Sequence, residues 1–259
     1  MEPLYIVKVG GNIIDDAEKL RSFLKAFSSI QGKKMLVHGG GKLATKLASS
    51  LSIPQQMIDG RRVTDAETLK IVTMVYAGWI NKDIVAKLNA LGCISMGISG
   101  ADAQTILAHK RKNADIDYGF VGDIDQVNIQ ALLALLEQDI NIVVAPITQD
   151  ASGQLLNTNA DTIAQEIAKA MSNHFTTSLI YSFEKRGVMK DVSDEHSVIQ
   201  QMNAALFKSM KEDQSIFAGM IPKLDNAFAA IDAGVSKVII GDALELPDLI
   251  KGKSGTTIS

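Results

Sequence analysis

Leu4-Tyr5-Ile6-Val7-Lys8-Val9-Gly10-Gly11-Asn12 is an apolar, strand-like run broken by one lysine and closed by two glycines. A short continuous apolar run bounded by glycine is the pattern of a strand covered on both faces of a parallel sheet. A lysine at the end of such a strand costs free energy unless an anion meets it. Two glycines beside it let a ligand approach backbone N–H groups. Residues 4–12 therefore read as the first strand-to-helix turn of an α/β sheet, with a phosphate site at the turn.

The pattern recurs along the chain. Strands are expected at Leu4–Val9, Lys34–Val37, Ile94–Ile98, Asn141–Ala145, Ser178–Tyr181 and Lys237–Ile240. Helical periodicity lies between them, at Ala17–Ser28, Lys42–Leu51, Ala66–Leu91, Ile129–Gln138, Thr162–Met171, Ser197–Lys211 and Leu224–Ala233. Alternating units of this kind predict an open, mostly parallel sheet flanked by helices. Thr105–Val127 has no helical period and reads as a β-hairpin excursion. Thr64-Asp65-Ala66-Glu67 has the form of a capping box opening the longest helix. Pro222 suits the first turn of the last helix and Gly234 its end. The middle of Ala66–Leu91 is apolar nearly all round, at Ile71, Val72, Met74, Val75, Tyr76, Trp79 and Ile80. A helix buried on one side needs a single stripe, so this one is either a subunit interface or a central core helix.

Composition narrows the classes. A net charge of −3 leaves no basic footprint for nucleic acid. The apolar runs fall short of the ~20 residues that span a bilayer, and Lys8 interrupts the only candidate secretory segment. Cys93 is the sole cysteine, so no internal disulfide can form, and a reducing cytoplasm is expected. Its apolar setting, Cys93-Ile94-Ser95-Met96, marks it as a small core residue.

Several segments carry chemistry. His38-Gly39-Gly40-Gly41-Lys42 follows the second strand and opens a helix, exposing backbone N–H groups at the positive end of a helix dipole. It serves either as an anion cradle or as a tight turn, and His38 alone reads as structural. Gly60-Arg61-Arg62-Val63-Thr64 sets two arginines before a helix N-terminus, where the dipole disfavours cations. An arginine there offers a planar fork for a carboxylate, and its neighbour can be solvated surface. Asn157-Thr158-Asn159-Ala160-Asp161 offers caps or substrate-positioning groups at a strand's carboxyl side. Gly219-Met220-Ile221-Pro222-Lys223 places a second lysine against a helix dipole, and two misfit lysines favour a shared polyanion. No G-x-G-x-x-G follows the first strand. Gly252-Lys253-Ser254 imitates the end of a Walker A loop, but Pro247 occupies its first glycine. With no H-E-x-x-H and no cysteine cluster, no protein-built metal site is expected. Mg²⁺ is expected to arrive with phosphates.

Taken in order, these motifs resemble the amino acid kinase family over essentially the whole chain. The resemblance is carried by Ile6-Val7-Lys8-Val9-Gly10-Gly11, Val37-His38-Gly39-Gly40-Gly41, Gly60-Arg61-Arg62-Val63-Thr64, Leu156-Asn157-Thr158-Asn159-Ala160-Asp161, Gly219-Met220-Ile221-Pro222-Lys223 and Gly255-Thr256-Thr257-Ile258. The Arg62 and Asn157–Asp161 segments are similar to the branch that phosphorylates the side-chain carboxylate of N-acetyl-L-glutamate in arginine biosynthesis. The resemblance implies a three-layer αβα sandwich, with an acylglutamate-binding and dimerisation lobe over residues 1–173 and an ATP-binding lobe over residues 174–259. It implies that Lys8 and Lys223 stabilise the transferring phosphoryl group and that Asp161 orients them. Gly40, Gly41, Arg62, Asn157 and Asn159 would contact the substrate. Gly10, Gly11, Gly187, Val188, Phe217 and Gly219 would contact ATP. A cytoplasmic homodimer built through the Ala66–Leu91 helix is expected. The N-terminal helical extension of the arginine-inhibited hexamers is not in this sequence, which favours a dimer without arginine feedback.

The nucleotide half departs from the family pattern. A Ser-Asp-Val-x-Gly stretch usually follows its strand, whereas this chain has Tyr181-Ser182-Phe183-Glu184-Lys185-Arg186-Gly187-Val188-Met189. The alternatives left open are the same reaction on N-succinyl-L-glutamate, a kinase of this fold acting on another small acid or nucleotide, and an idle amino-acid sensor.

Overall fold

Side-chain alternation along the first strand sets the layers. Leu4 and Ile6 enter one apolar cluster, while Val7 and Val9 enter another. Lys8, in step with Leu4 and Ile6, shares their face. The structure is a computed structural model that describes all residues except 59–60, 113–114, 192–193, 195–196, 214 and 217–219, and the side chain of Pro222.

In chain order the strands are β1 (Pro3–Val9), β2 (Lys33–His38), β3 (Gln56–Ile58), β4 (Arg61–Val63), β5 (Ser95–Ile98), β6 (Ile106–Lys110), β7 (Gly122–Val127), β8 (Asn141–Val144), β9 (Ile147–Gln149), β10 (Leu155–Asn157), β11 (Thr176–Phe183), β12 (Gln201–Met202), β13 (Lys237–Asp242) and β14 (Thr256–Ile258). The helices are α1 (Gly11–Ile14), α2 (Ala17–Ser28), α3 (Gly41–Ser50), α4 (Ala66–Thr73), α5 (Asn81–Ala90), α6 (Ile129–Glu137), α7 (Ala160–Met171), α8 (Ala204–Glu212), α9 (Ile221–Asp232) and α10 (Leu246–Ile250).

Eight strands form the central sheet in the order β12-β14-β13-β11-β1-β2-β8-β5. Neighbours run parallel except β13 and β14. Helices α6, α7, α8 and α9 pack on the Leu4–Ile6 face through Leu132, Ile163, Phe207 and Leu224. Helices α2, α3, α4, α5 and α10 cover the other face through Phe23, Ala44, Val72, Leu88 and Leu249. The expected three-layer αβα sandwich is thus the observed one. From β1 the chain crosses to β2 on one side, and from β11 to β13 on the other. The crevice beyond the carboxyl ends of β1 and β11 is therefore the switch point where open α/β sheets take ligands.

A second sheet, β10-β9-β6-β7, contains the expected hairpin excursion as β6 and β7. The β3–β4 hairpin and the short strands β9, β10, β12 and β14 add pairings not read from the sequence.

Three local expectations are corrected. Helix α8 starts at Ala204, not Ser197, because Asn203 caps it by accepting from Leu206 N–H, while Gln201–Met202 pair with β14. The long helix is capped by Asp65, which accepts from Thr68 N–H at 2.7 Å. Thr64 is not part of a capping box: it is buried, and its hydroxyl donates to Arg62 O. That helix also changes pitch at Met74–Ile80, which is a π-helical segment between α4 and α5. Gly234 ends α9 as expected, at φ 98°.

Candidate active site

Three elements converge on one carboxylate. Lys8 points from β1 toward the α7 face, Asp161 lies in the first turn of α7, and Lys223 lies in the first turn of α9. Lys8 Nζ is 2.7 Å from Asp161 Oδ1, and Lys223 Nζ is 3.1 Å from Asp161 Oδ2. Asn159 starts α7 by accepting from the N–H groups of Asp161 and Thr162, which fixes where the carboxylate stands. Burial alone would raise the Asp161 carboxyl, but Lys8 and then Lys223 outweigh it and hold it below the usual carboxylate range. One anion thus holds two cations side by side, and the pair keeps a net positive charge facing the crevice. The switch point itself is tied by Ser182 Oγ donating to Lys8 O at 2.9 Å and Gly10 N–H donating to Ser182 O at 3.2 Å.

On one side of this triad lies a cavity of about 210 Å³ lined by Gly40, Gly41, Arg61, Arg62, Asn157 and Asn159, among others. Arg62 is buried and braced: it donates to Gly41 O and Thr45 Oγ1, each at 2.9 Å, and to Gln55 Oε1. Asn157 Nδ2 donates to Thr64 Oγ1 at 3.0 Å, which leaves its carbonyl oxygen as the group free to accept. Arg61 is exposed on the same wall. A positively charged wall of this kind suits a small carboxylate.

A second cavity, of about 370 Å³, is lined by Gly10, Gly11, Asn12, Gly41, Lys42, Phe183, Glu184 and others. Gly41 borders both cavities, so the two glycine turns separate and connect them. Gly187 and Val188 are not on that wall. Val188 is buried, with its N–H donated to Thr256 Oγ1 at 2.9 Å, and a side chain at Gly187 would strike Thr256 and Val198. Phe217 and Gly219 lie outside the described residues, as does Gly60.

Sequence reasoning missed several groups at the first cavity. Tyr76 lines it from the π-helical segment, where burial raises its phenol against the opposing pull of Arg62. Arg111 lines it from the end of β6, with its Nε 3.0 Å from both oxygens of Asp123. Tyr76 was hidden in an apolar run, and the Arg111–Asp123 pair spans a hairpin whose register a sequence does not print. His38 supports the glycine turn from behind. It is fully buried, with Nδ1 2.8 Å from Gly39 O and Nε2 3.3 Å from Asn81 Nδ2, which makes Nδ1–H the donor and Nε2 the acceptor. Burial, opposed by the Gly39 bond and assisted by Lys82, lowers its pKa to about 4.

Comparisons with known proteins place the chain among relatives. A sequence profile described as the amino acid kinase family matches residues 3–242. The chain is 56% identical over 252 residues to an acetylglutamate kinase of Cytophaga hutchinsonii, covering 96% of this chain and 95% of that protein. It is 53% identical over 246 residues to an acetylglutamate kinase of Parabacteroides distasonis, covering 95% and 96%. Among solved structures, smu.665 from Streptococcus mutans UA159 superposes with a TM-score of 0.79 at 26% identity, covering 99% of this chain and 98% of that one.

Proposed function

The chain belongs to the amino acid kinase family, and we propose that it transfers the γ-phosphoryl group of ATP to the side-chain carboxylate of N-acetyl-L-glutamate. The observation that carries this reading is the Lys8–Asp161–Lys223 triad, with the residues flanking Asp161 lining a carboxylate-suited cavity and Gly10–Gly11, just past Lys8, lining a second. The acyl phosphate formed would serve arginine biosynthesis.

A glutamate side chain has a pKa of about 4.3 and is already ionised at pH 7, so the acceptor needs no general base. His38, buried and neutral, has no proton-transfer role in this scheme. The obstacle is bringing a carboxylate up to a more negative polyphosphate. Lys8 and Lys223 offset that repulsion and stabilise charge on the transferring group, with help from the N–H groups of Gly11, Gly40 and Gly41. Asp161 stays ionised and orients both lysines. Arg62 pairs with a carboxylate of the substrate, and Asn157, with the side-chain amide of Asn159, fixes the acylated end. ATP lies along the Gly10–Gly11 cavity. Mg²⁺ enters as part of the ATP substrate: among the described residues no cluster of three or more His, Cys, Asp or Glu side chains could hold it alone. In this reading residues 1–173 form the acylglutamate lobe and residues 174–259 the ATP lobe, joined across β1 and β11. The acting form is a homodimer joined through the α4–α5 helix.

An ADP-release assay tests the proposal, with N-acetyl-L-glutamate, N-succinyl-L-glutamate, L-aspartate and carbamate as separate acceptors. Turnover with N-acetyl-L-glutamate above the other three is expected. No ADP release with any acylglutamate would overturn the reading.

A further inference from the structure

We propose that Phe183 is a positioning residue for Lys223, holding its ammonium group over the phosphoryl site through the face of its ring. The inference rests on the kinase reading of that site and adds a residue to it. Phe183 ends β11, at the switch point and directly across from Gly10, whose Cβ position lies 3.8 Å from Phe183 Cβ. Its ring lines the Gly10–Gly11 cavity, and Lys223 Nζ sits 5.7 Å from the ring centroid.

The two lysines are not held alike. Lys8 is fixed by a central strand, and its side chain is 16% exposed; Lys223 is 35% exposed, on a helix whose N-cap has no side-chain bond. Asp161 offers one oxygen to each, so among the described residues Lys223 has a single carboxylate contact. The ring supplies a second hold of a different kind. A cation over an aromatic face is attracted by the ring quadrupole without its charge being neutralised. It also uses none of the acceptor geometry that phosphoryl oxygens need, so N–H groups of the ammonium remain for them. Glu184, the next residue, also lines this cavity, its carboxylate tied by Asn12 and, at 3.3 Å, by Lys19.

The test uses the full-length protein with phenylalanine analogues at position 183 carrying one, two and three fluorines, which keep the ring's shape while draining its face of charge. Steady-state kcat is expected to fall stepwise along the series while KM for N-acetyl-L-glutamate stays within about twofold. Phe183→Leu should lower kcat roughly 3- to 30-fold, and Phe183→Tyr should restore it. In ligand-free protein the Lys223 ε-methylene resonance, assigned by its loss in Lys223→Arg, should show an upfield ring-current shift that Phe183→Leu abolishes. A flat kcat across the fluorinated series, or no ring-current shift, overturns the proposal. Absence of ADP release by the unmodified protein would instead refute the kinase reading, and the resonance shift would still decide whether the ring holds the lysine.

Discussion

Lys8 and Arg62 are both cations in poorly solvated places, and their partners assign them different work. Lys8 faces a carboxylate at the crevice, where charge changes during transfer. Lys8→Ala should therefore lower kcat by roughly 10²–10³-fold and leave KM for N-acetyl-L-glutamate within a few-fold, as read by coupled steady-state kinetics. Arg62 is clamped by Gly41, Thr45 and Gln55 before any substrate arrives. Arg62→Ala should chiefly weaken ground-state binding, and calorimetric titration with N-acetyl-L-glutamate should show at least a tenfold higher Kd. His38 supplies a pH signature of stability. Its folded pKa of about 4 lies below the unfolded value of about 6.5, so the unfolded chain binds the extra proton between them. Its contribution is therefore fully present above pH ~6.5 and is lost as pH falls toward ~4, amounting to about 3 kcal/mol in all. Urea midpoints measured from pH 7 to pH 4 should fall more steeply for the unaltered protein than for His38→Gln.

At the scale of elements, the glycine turn and the π-helical segment form one packed unit. Gly40 has φ 151°, and a Cβ there would lie 2.3 Å from Ile80 Cδ1 and 3.1 Å from the Tyr76 ring. The widened helical turn places Tyr76 and Ile80 inward, against the glycine, and Met74 and Trp79 outward. Gly40→Ala should destabilise the protein by about 2 kcal/mol from overpacking and backbone strain. Adding Ile80→Val should recover only the steric part, and thermal unfolding of the single and double variants measures the split. This coupling was not legible in the sequence, because a π turn has no residue signature and the contact joins residues 40 apart. The inner strands of the central sheet and β5 were legible, since burial on both faces makes β1, β2 and β8 continuous apolar runs, whereas the short β12 and β14 were not. The start of α8 was not: Val198 and Ile199 fit a helical period, but Asn203 caps the helix later and the open edge of β14 takes Gln201–Met202. Arg62 stood out through its conflict with a helix dipole. Arg111 did not, because its meaning depends on the β6–β7 register that brings Asp123 beside it.

For the molecule as a whole, the two edges of the central sheet are finished differently. One ends in the two-residue strand β12, too short to template pairing. The other ends in β5, where Met96 is 43% exposed and the adjoining Ile94 is 60% exposed. The long helix beside it adds Met74 at 54%, Trp79 at 65% and, just past its end, Leu91 at 46%. Large apolar side chains exposed along the long helix and at an open strand edge are costly to leave in water. A second copy, presenting the same surface through a two-fold axis, would cover them all at once. Trp79 is the largest of these, so a charge in its place should oppose association directly. Sedimentation equilibrium should give about twice 27.8 kDa for the unaltered protein and 27.8 kDa for Trp79→Glu. Lys8, Arg62, Asn157, Asp161 and Lys223 all come from one chain, so the site of the monomeric variant remains complete. Its kcat should therefore stay within a few-fold while its Tm falls, since the π turn that supports Gly40 loses its outer cover. A dimeric Trp79→Glu variant would place the interface elsewhere on the molecule. A monomeric unaltered protein at tens of micromolar would leave the apolar face for a partner other than this chain.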